Sequence, residues 1–148
     1  MSVLYLLDTN TCSYIVSGAS PAARMSFRKY LADPTVRLCI SSITEAEIRY
    51  GMAWKELSPQ RCAAIESLLE CVDVLPWNSA TARRYGTSRA RLRRKGFAVE
   101  TMDLLIAIHA AAEDAVLVSH DLIFSKIAEI VELHAVVDWA TDIESPKL

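Results

Sequence analysis

Five consecutive apolar residues, Val3-Leu4-Tyr5-Leu6-Leu7, stop abruptly at Asp8-Thr9-Asn10. A strand with no polar face reads as one buried on both sides, the position of a strand inside a parallel sheet. The polar residues after it are those that start helices. The pattern then repeats. Helical periods follow at about 9–17 and 21–32, divided by Gly18 and a Ser20-Pro21 start; 36–40 is a second strand, and Ser41-Ser42-Ile43-Thr44 opens a helix reaching about Glu56. Pro59 starts a helix to about Cys71, 72–75 makes a third strand, and Asn78 caps a long helix closed by Gly96. A helix over about 102–113, a strand at 116–119, a short helix from Leu122 and a last strand near 135–137 complete the chain. Strands alternating with helices predict an α/β fold with right-handed crossovers and a mostly parallel central sheet flanked by helices. Ligands of such sheets bind beyond the carboxyl ends of the strands.

A chain of 148 residues has the size of one domain, spanning 1–148, and can bury roughly 70% of its unfolded surface. At 52% hydrophobic it is far from a disordered composition. Every apolar run falls short of the ~20 residues of a membrane helix, and no basic n-region or cleavage site precedes Asp8, so a cytoplasmic location is expected. Cys12, Cys39, Cys62 and Cys71 lack zinc spacing and read as reduced core residues. A net charge of -2 argues against a nucleic-acid coat protein but leaves room for a nuclease, whose metal-binding acids offset basic residues elsewhere.

Four acids fall where this architecture places ligands. Asp8 directly follows the first strand and Asp121 comes just after the strand at 116–119. Each also suits a simple helix cap, because Asp is a favoured N-cap and complements the helix dipole. Glu47 competes with Glu45, and the two could close capping boxes with Thr44 and Ser42 respectively. Ile43, Glu47, Tyr50, Gly51 and Trp54 fall on one stripe, expected to face inward, while Glu45 pairs with Arg49 at i+4 on a more polar face. A carboxylate in an apolar stripe is costly unless it meets a cation, which selects Glu47. Asp103 opens a helix that is apolar nearly all round; with Thr101 as N-cap, it too could serve only the dipole. Four carboxylates brought together would raise one another's pKa, and hard oxygen ligands suit Mg2+ or Mn2+. Such a site activates water and offsets charge on the oxygens of a phosphodiester.

Leu6-Leu7-Asp8-Thr9-Asn10, Ser42-Ile43-Thr44-Glu45-Ala46-Glu47-Ile48-Arg49-Tyr50-Gly51, Met102-Asp103-Leu104-Leu105-Ile106-Ala107-Ile108-His109-Ala110 and Leu117-Val118-Ser119-His120-Asp121-Leu122-Ile123-Phe124 occur in that order, with a closing Val136-Val137-Asp138-Trp139. In order and spacing the chain resembles, nearly end to end, a PIN-domain ribonuclease of the VapC type, the toxin of VapBC toxin–antitoxin pairs. The resemblance implies a PIN-like three-layer fold and a metal-dependent endoribonuclease. It implies Asp8, Glu47, Asp103 and Asp121 as metal-site carboxylates binding Mg2+ or Mn2+, with Thr9, Asn10 and Ser119 in support. It further implies a structured or translation-related RNA substrate, often a tRNA, a VapB-type antitoxin and a homodimer formed through the first helices. Tyr14, Ile15, Met25 and Phe27 could serve those contacts or belong to the core. Ser119 and His120 depart from the family's usual Thr followed by Asn or Arg; a hydroxyl is kept at 119, and His120 could contact substrate or ligate metal but reads more readily as an exposed turn residue. His109, among alanines, reads as a packed helix residue.

Arg91, Arg93 and Arg94 belong to a basic helix end that could meet RNA phosphates or simply complement the dipole in solvent. Two other readings compete. A catalytically idle PIN scaffold would bind RNA or protein, but all four acids are retained. A signalling receiver domain would need a phosphorylatable Asp after a middle strand, whereas the third predicted strand ends in Pro76-Trp77.

Overall fold

A computed structural model describes residues 2–144. Its sheet holds β1 (Val3–Leu7), β2 (Val36–Ser41), β3 (Asp73–Leu75), β4 (Val116–Val118) and β5 (Ala135–Val137), all parallel, in the order β3-β2-β1-β4-β5. The helices are α1 (Thr9–Ser17), α2 (Pro21–Leu31), α3 (Ser42–Lys55), α4 (Pro59–Cys71), α5 (Ser79–Arg94), α6 (Thr101–Ala112) and α7 (Ile123–Ile127). The predicted elements are all present, with Val72 capping α4 rather than opening β3. A receiver-like sheet would run 2-1-3-4-5; here the third strand is an edge.

Strand alternation builds two cores. In β1, Leu6 packs on one side with Leu92 of α5, Leu104 and Ile108 of α6 and Phe124 of α7. Leu7 packs on the other with Cys12 and Ile15 of α1, Phe27 of α2 and Leu68 of α4. Leu117 and Val118 of β4 divide in the same way. Neighbouring side chains of a strand point to opposite faces, so a continuous apolar run fits a sheet covered on both faces, giving three layers. On the α1/α2 face, Tyr5, Tyr30 and Trp139 stack with centroids 4.9 and 5.3 Å apart, fixing the closing Val-Val-Asp-Trp segment.

Local signals set the ends. Gly18 and Gly96 take φ of 75° and 81°, left-handed values that favour glycine, and stop α1 and the turn after α5. Ser20 caps α2 ahead of Pro21, and Asn78 caps α5. The chain winds from β1 outward to β3, then returns to lay β4 on β1's other side. The carboxyl ends of β1 and β4 therefore flank the point where the winding reverses, the usual ligand crevice of open parallel sheets. Among the described residues no helix is long and apolar enough to cross a membrane.

Candidate active site

Leu7 and Val118 are in register, so the residues after β1 and β4 leave the sheet together. Asp8 N donates to Val118 O at 3.0 Å. Asp8 caps α1, its Oδ1 accepting from Thr11 N at 2.8 Å, while Thr11 Oγ1 donates to Val118 O at 3.2 Å. This turn leaves Asp8 only 5% exposed. Burial pushes its carboxyl above the usual range and Asp121 adds to the rise, against hydrogen bonds from Ser119 and Thr11.

The next residue reaches another element. Thr9 Oγ1 donates to Glu47 Oε1 at 2.5 Å, tying the start of α1 to the half-buried carboxylate on α3. Glu45 instead pairs with Arg49 at 3.2 Å, and Arg49 also meets Glu66 at 3.0 Å. Asp103 lies in the first turn of α6. Its carboxyl is pushed up to about 6 by burial first, then by the negative charges of Glu100, Asp121, Asp8 and Glu47. Exposed Asp121 accepts from Ile123 N at 3.0 Å, and Asp121 N donates to Ser119 Oγ at 3.1 Å.

Four acids from four segments thus share one repulsive field. Among the described residues, none of the four pairs with a basic side chain. A donor set of anionic oxygens lacking basic partners suits a small divalent cation. Among the described residues no three His, Cys, Asp or Glu side chains already form a group able to hold an ion. Closing on one therefore takes side-chain rotation, for which exposed Asp121 and part-exposed Glu47 and Asp103 have room.

Several expectations change. Glu100, not Thr101, caps α6, its Oε2 accepting from Asp103 N at 2.9 Å; sequence reasoning passed over it, although it stands three residues before Asp103 as a capping acceptor does. Ser41 rather than Ser42 or Thr44 caps α3, so no capping box forms there. The stripe through Glu47 does not face inward: Tyr50 and Trp54 are 67% and 74% exposed and stack on each other. Glu47 is placed by Thr9 rather than by an apolar face. His120 is buried, not exposed, with Nδ1 2.9 Å from Asp138 Oδ2, and that hydrogen bond holds its pKa up. His109 is fully buried, as expected, with Nδ1 2.7 Å from Ser41 Oγ. Asn10 is exposed and makes no side-chain hydrogen bond among the described residues. The basic helix end divides: Arg91 pairs with Glu132 at 3.5 Å, as Arg84 does at 3.3 Å, whereas Arg93 lines a cleft beside α6 and Arg94 is exposed. Ile15 and Phe27 are core, leaving Met25 exposed and Tyr14 half-buried. Cys62 is only partly buried and Cys71 is exposed, although both lie on α4 with buried Leu68 and Leu69.

The sequence pattern of the PIN domain matches residues 5–130. A tRNA(fMet)-specific endonuclease VapC of Salmonella typhimurium is 38% identical over 119 residues, covering 80% of this chain and 86% of that protein. Ribonuclease VapC2 of Rickettsia felis is 31% identical over 130 residues, covering 87% and 96%. The crystal structure of VapBC2 from Rickettsia felis bound to a promoter DNA fragment contains a chain that superposes with a TM-score of 0.83 at 28% identity, covering 93% of this chain and 99% of that one. Fold, acidic sheet edge and sequence agree: the chain belongs to the PIN domain family and, within it, to the VapC ribonucleases.

Proposed function

We propose that residues 1–148 act as one PIN-type ribonuclease domain that hydrolyses RNA phosphodiester bonds with Mg2+ or Mn2+ held by Asp8, Glu47, Asp103 and Asp121. The observation that carries this reading is the mutual charge repulsion of these acids at the carboxyl edge of β1 and β4, with no basic side chain paired to any of them among the described residues. A bound divalent ion would lower the pKa of water and offset charge on the phosphate oxygens.

The chain's own groups prepare that chemistry. Thr9 holds one Glu47 oxygen, leaving the other for a ligand. Thr11 N and the Ser119 hydroxyl fix Asp8, and Ser119 also receives Asp121 N, so two acids share one support. Asp103, with its carboxyl near 6, can hold a proton close to neutrality until a cation displaces it. The Salmonella relative is named for tRNA(fMet), and a Rickettsia neighbour was solved as VapBC2. On that basis we take the chain as the toxin of a pair, with a VapB-type antitoxin as partner, a tRNA as substrate class, and a homodimer using exposed Met25 and part-exposed Tyr14.

Purified protein is expected to cleave RNA with Mg2+ or Mn2+ and to stop in EDTA. Glu47→Gln keeps shape and removes charge, so metal affinity and cleavage fall together, by on the order of a hundredfold or more in rate. Glu45→Gln loses only its Arg49 pair, worth about 0.2–0.5 kcal/mol of stability, and cleaves nearly normally. Full cleavage in EDTA sinks the metal reading; an active Glu47→Gln beside an inactive Glu45→Gln sinks the assignment on α3.

A further inference from the structure

The last turns of α5 and the loop that follows enclose a cleft of about 250 Å³, lined by Arg89, Leu92, Arg93, Phe97, Val99 and Leu104. The loop folds back because Phe97 N donates to Leu92 O at 3.0 Å, after the left-handed Gly96. Phe97 is half-buried, packed against the core that holds Leu92 and Leu104 and also lining the cleft. Arg89 and Arg93 are one helical turn apart on the same face of α5. Arg89 donates to the Tyr85 hydroxyl at 2.7 Å, a neutral contact, and among the described residues neither guanidinium pairs with a carboxylate. Their neighbours on the helix differ, since Arg84 and Arg91 share the single carboxylate of Glu132. Arg89 and Arg93 thus bring two positive charges without carboxylate partners to the cleft.

The cleft also adjoins the acids. Leu104 forms its wall, and the preceding residue, Asp103, stands in the carboxylate cluster. Leu104 and Asp103 are consecutive in the first turn of α6, so the cleft lies beside the segment that carries Asp103.

We propose that this cleft is a nucleotide subsite for single-stranded RNA, with Arg89 and Arg93 on the phosphate that neighbours the scissile one and Phe97 stacking on the intervening base. The assignment rests on the ribonuclease reading above. Guanidinium forks match phosphate oxygens, and an aromatic face accepts any base, so the subsite adds affinity without strict sequence choice. An acidic peptide could satisfy the arginines. The adjoining carboxylates, however, need a phosphodiester brought to them and would repel a second polyanion that cannot use their metal.

The test uses the full-length protein with a fluorescein-labelled single-stranded 12-mer RNA, following both Mn2+-dependent cleavage and binding anisotropy across a salt series. Arg89→Ala and Arg93→Ala each remove one phosphate contact, so each should raise KM with little change in kcat and flatten the log–log salt slope by about 0.7. Phe97→Leu keeps the apolar packing and removes the stacking face; KM should rise about five- to a hundredfold with the salt slope unchanged. Arg61→Ala deletes the same charge from an exposed position on α4, away from the cleft and from the basic helix end, and serves as the matched control. Cleft variants indistinguishable from Arg61→Ala overturn the subsite while wild-type cleavage keeps the nuclease reading intact. Should wild type bind RNA without cutting it, the nuclease reading fails and the anisotropy series still decides the subsite; no RNA binding by wild type overturns it. A labelled Glu/Phe peptide that loses affinity in the cleft variants while RNA does not would assign the cleft to a protein partner and refute the proposal.

Discussion

Asp103→Asn should stabilise the metal-free fold while removing one member of the proposed metal site. In the folded chain this carboxyl moves from an ordinary 3.8 up to about 6. At about 1.36 kcal/mol per pH unit the shift corresponds to a little under 3 kcal/mol. Asp103 is only half-buried, and solvent screening cuts this to roughly 1–2 kcal/mol. Asn also gives up an attraction of about 0.3–1 kcal/mol to the positive end of α6. The net gain is about 1 kcal/mol, or ~2–4 °C in Tm for a domain of this size. A raised folded pKa means that the penalty is absent below about pH 4, grows as pH rises, and is complete above about pH 6. Urea or thermal unfolding in EDTA should therefore show the variant ahead at about pH 7.5, with the gap roughly halved at about pH 5. Saturating Mn2+ should reverse the order, because a ligand at 100 times its Kd adds about 2.7 kcal/mol to wild type alone. A variant no more stable than wild type in EDTA at neutral pH, or a gap that ignores pH, would refute the shared-field explanation of the site.

His109→Gln tests the buried hydrogen bond to Ser41. Burial lowers the pKa of His109, so the stability it contributes is full above about pH 6.5 and is lost as pH falls through the folded value. The variant's deficit, about 1–2 kcal/mol near neutrality in urea titrations, should shrink by about pH 5, and a pH-independent deficit would count against it. Maleimide labelling of native protein, read by mass spectrometry, should modify exposed Cys71 first and spare Cys12 and Cys39, whose thiols burial pushes well up, to about 12 for Cys39. Early labelling of Cys12 or Cys39 would contradict their placement in the two cores.

The fold was legible because β1 and β4 are apolar on both faces and each strand is followed by capping residues, so pattern and topology agree. The acids were legible for the same reason, since Asp8 and Asp121 sit where strands end. Helical period was a poorer guide on α3. It groups Glu47 with Tyr50 and Trp54 correctly, but it cannot say what that face meets, and of this helix only Thr44 is buried. His120 looked exposed because its burial depends on Asp138, a partner from the next strand's end that no local pattern reveals. Cys71 was misplaced because a residue's average burial says nothing about which side of an amphipathic helix it occupies. The capping of α6 by Glu100 escaped notice because Thr at the next position is the commoner cap.

The central strand of the sheet is also translated before the other four. β1 receives β2 on one side early, but its other edge stays bare until β4 arrives late in the chain. At about 5–20 residues per second, Asp8 leaves the ribosome on the order of ten seconds before Asp121. Through that interval the nascent chain holds the first acids without the strand that supplies the last, and Thr11 lacks the Val118 carbonyl that anchors the Asp8 turn. A nascent chain that stops short of β4 therefore lacks Asp121, the last of the four acids proposed to hold the metal.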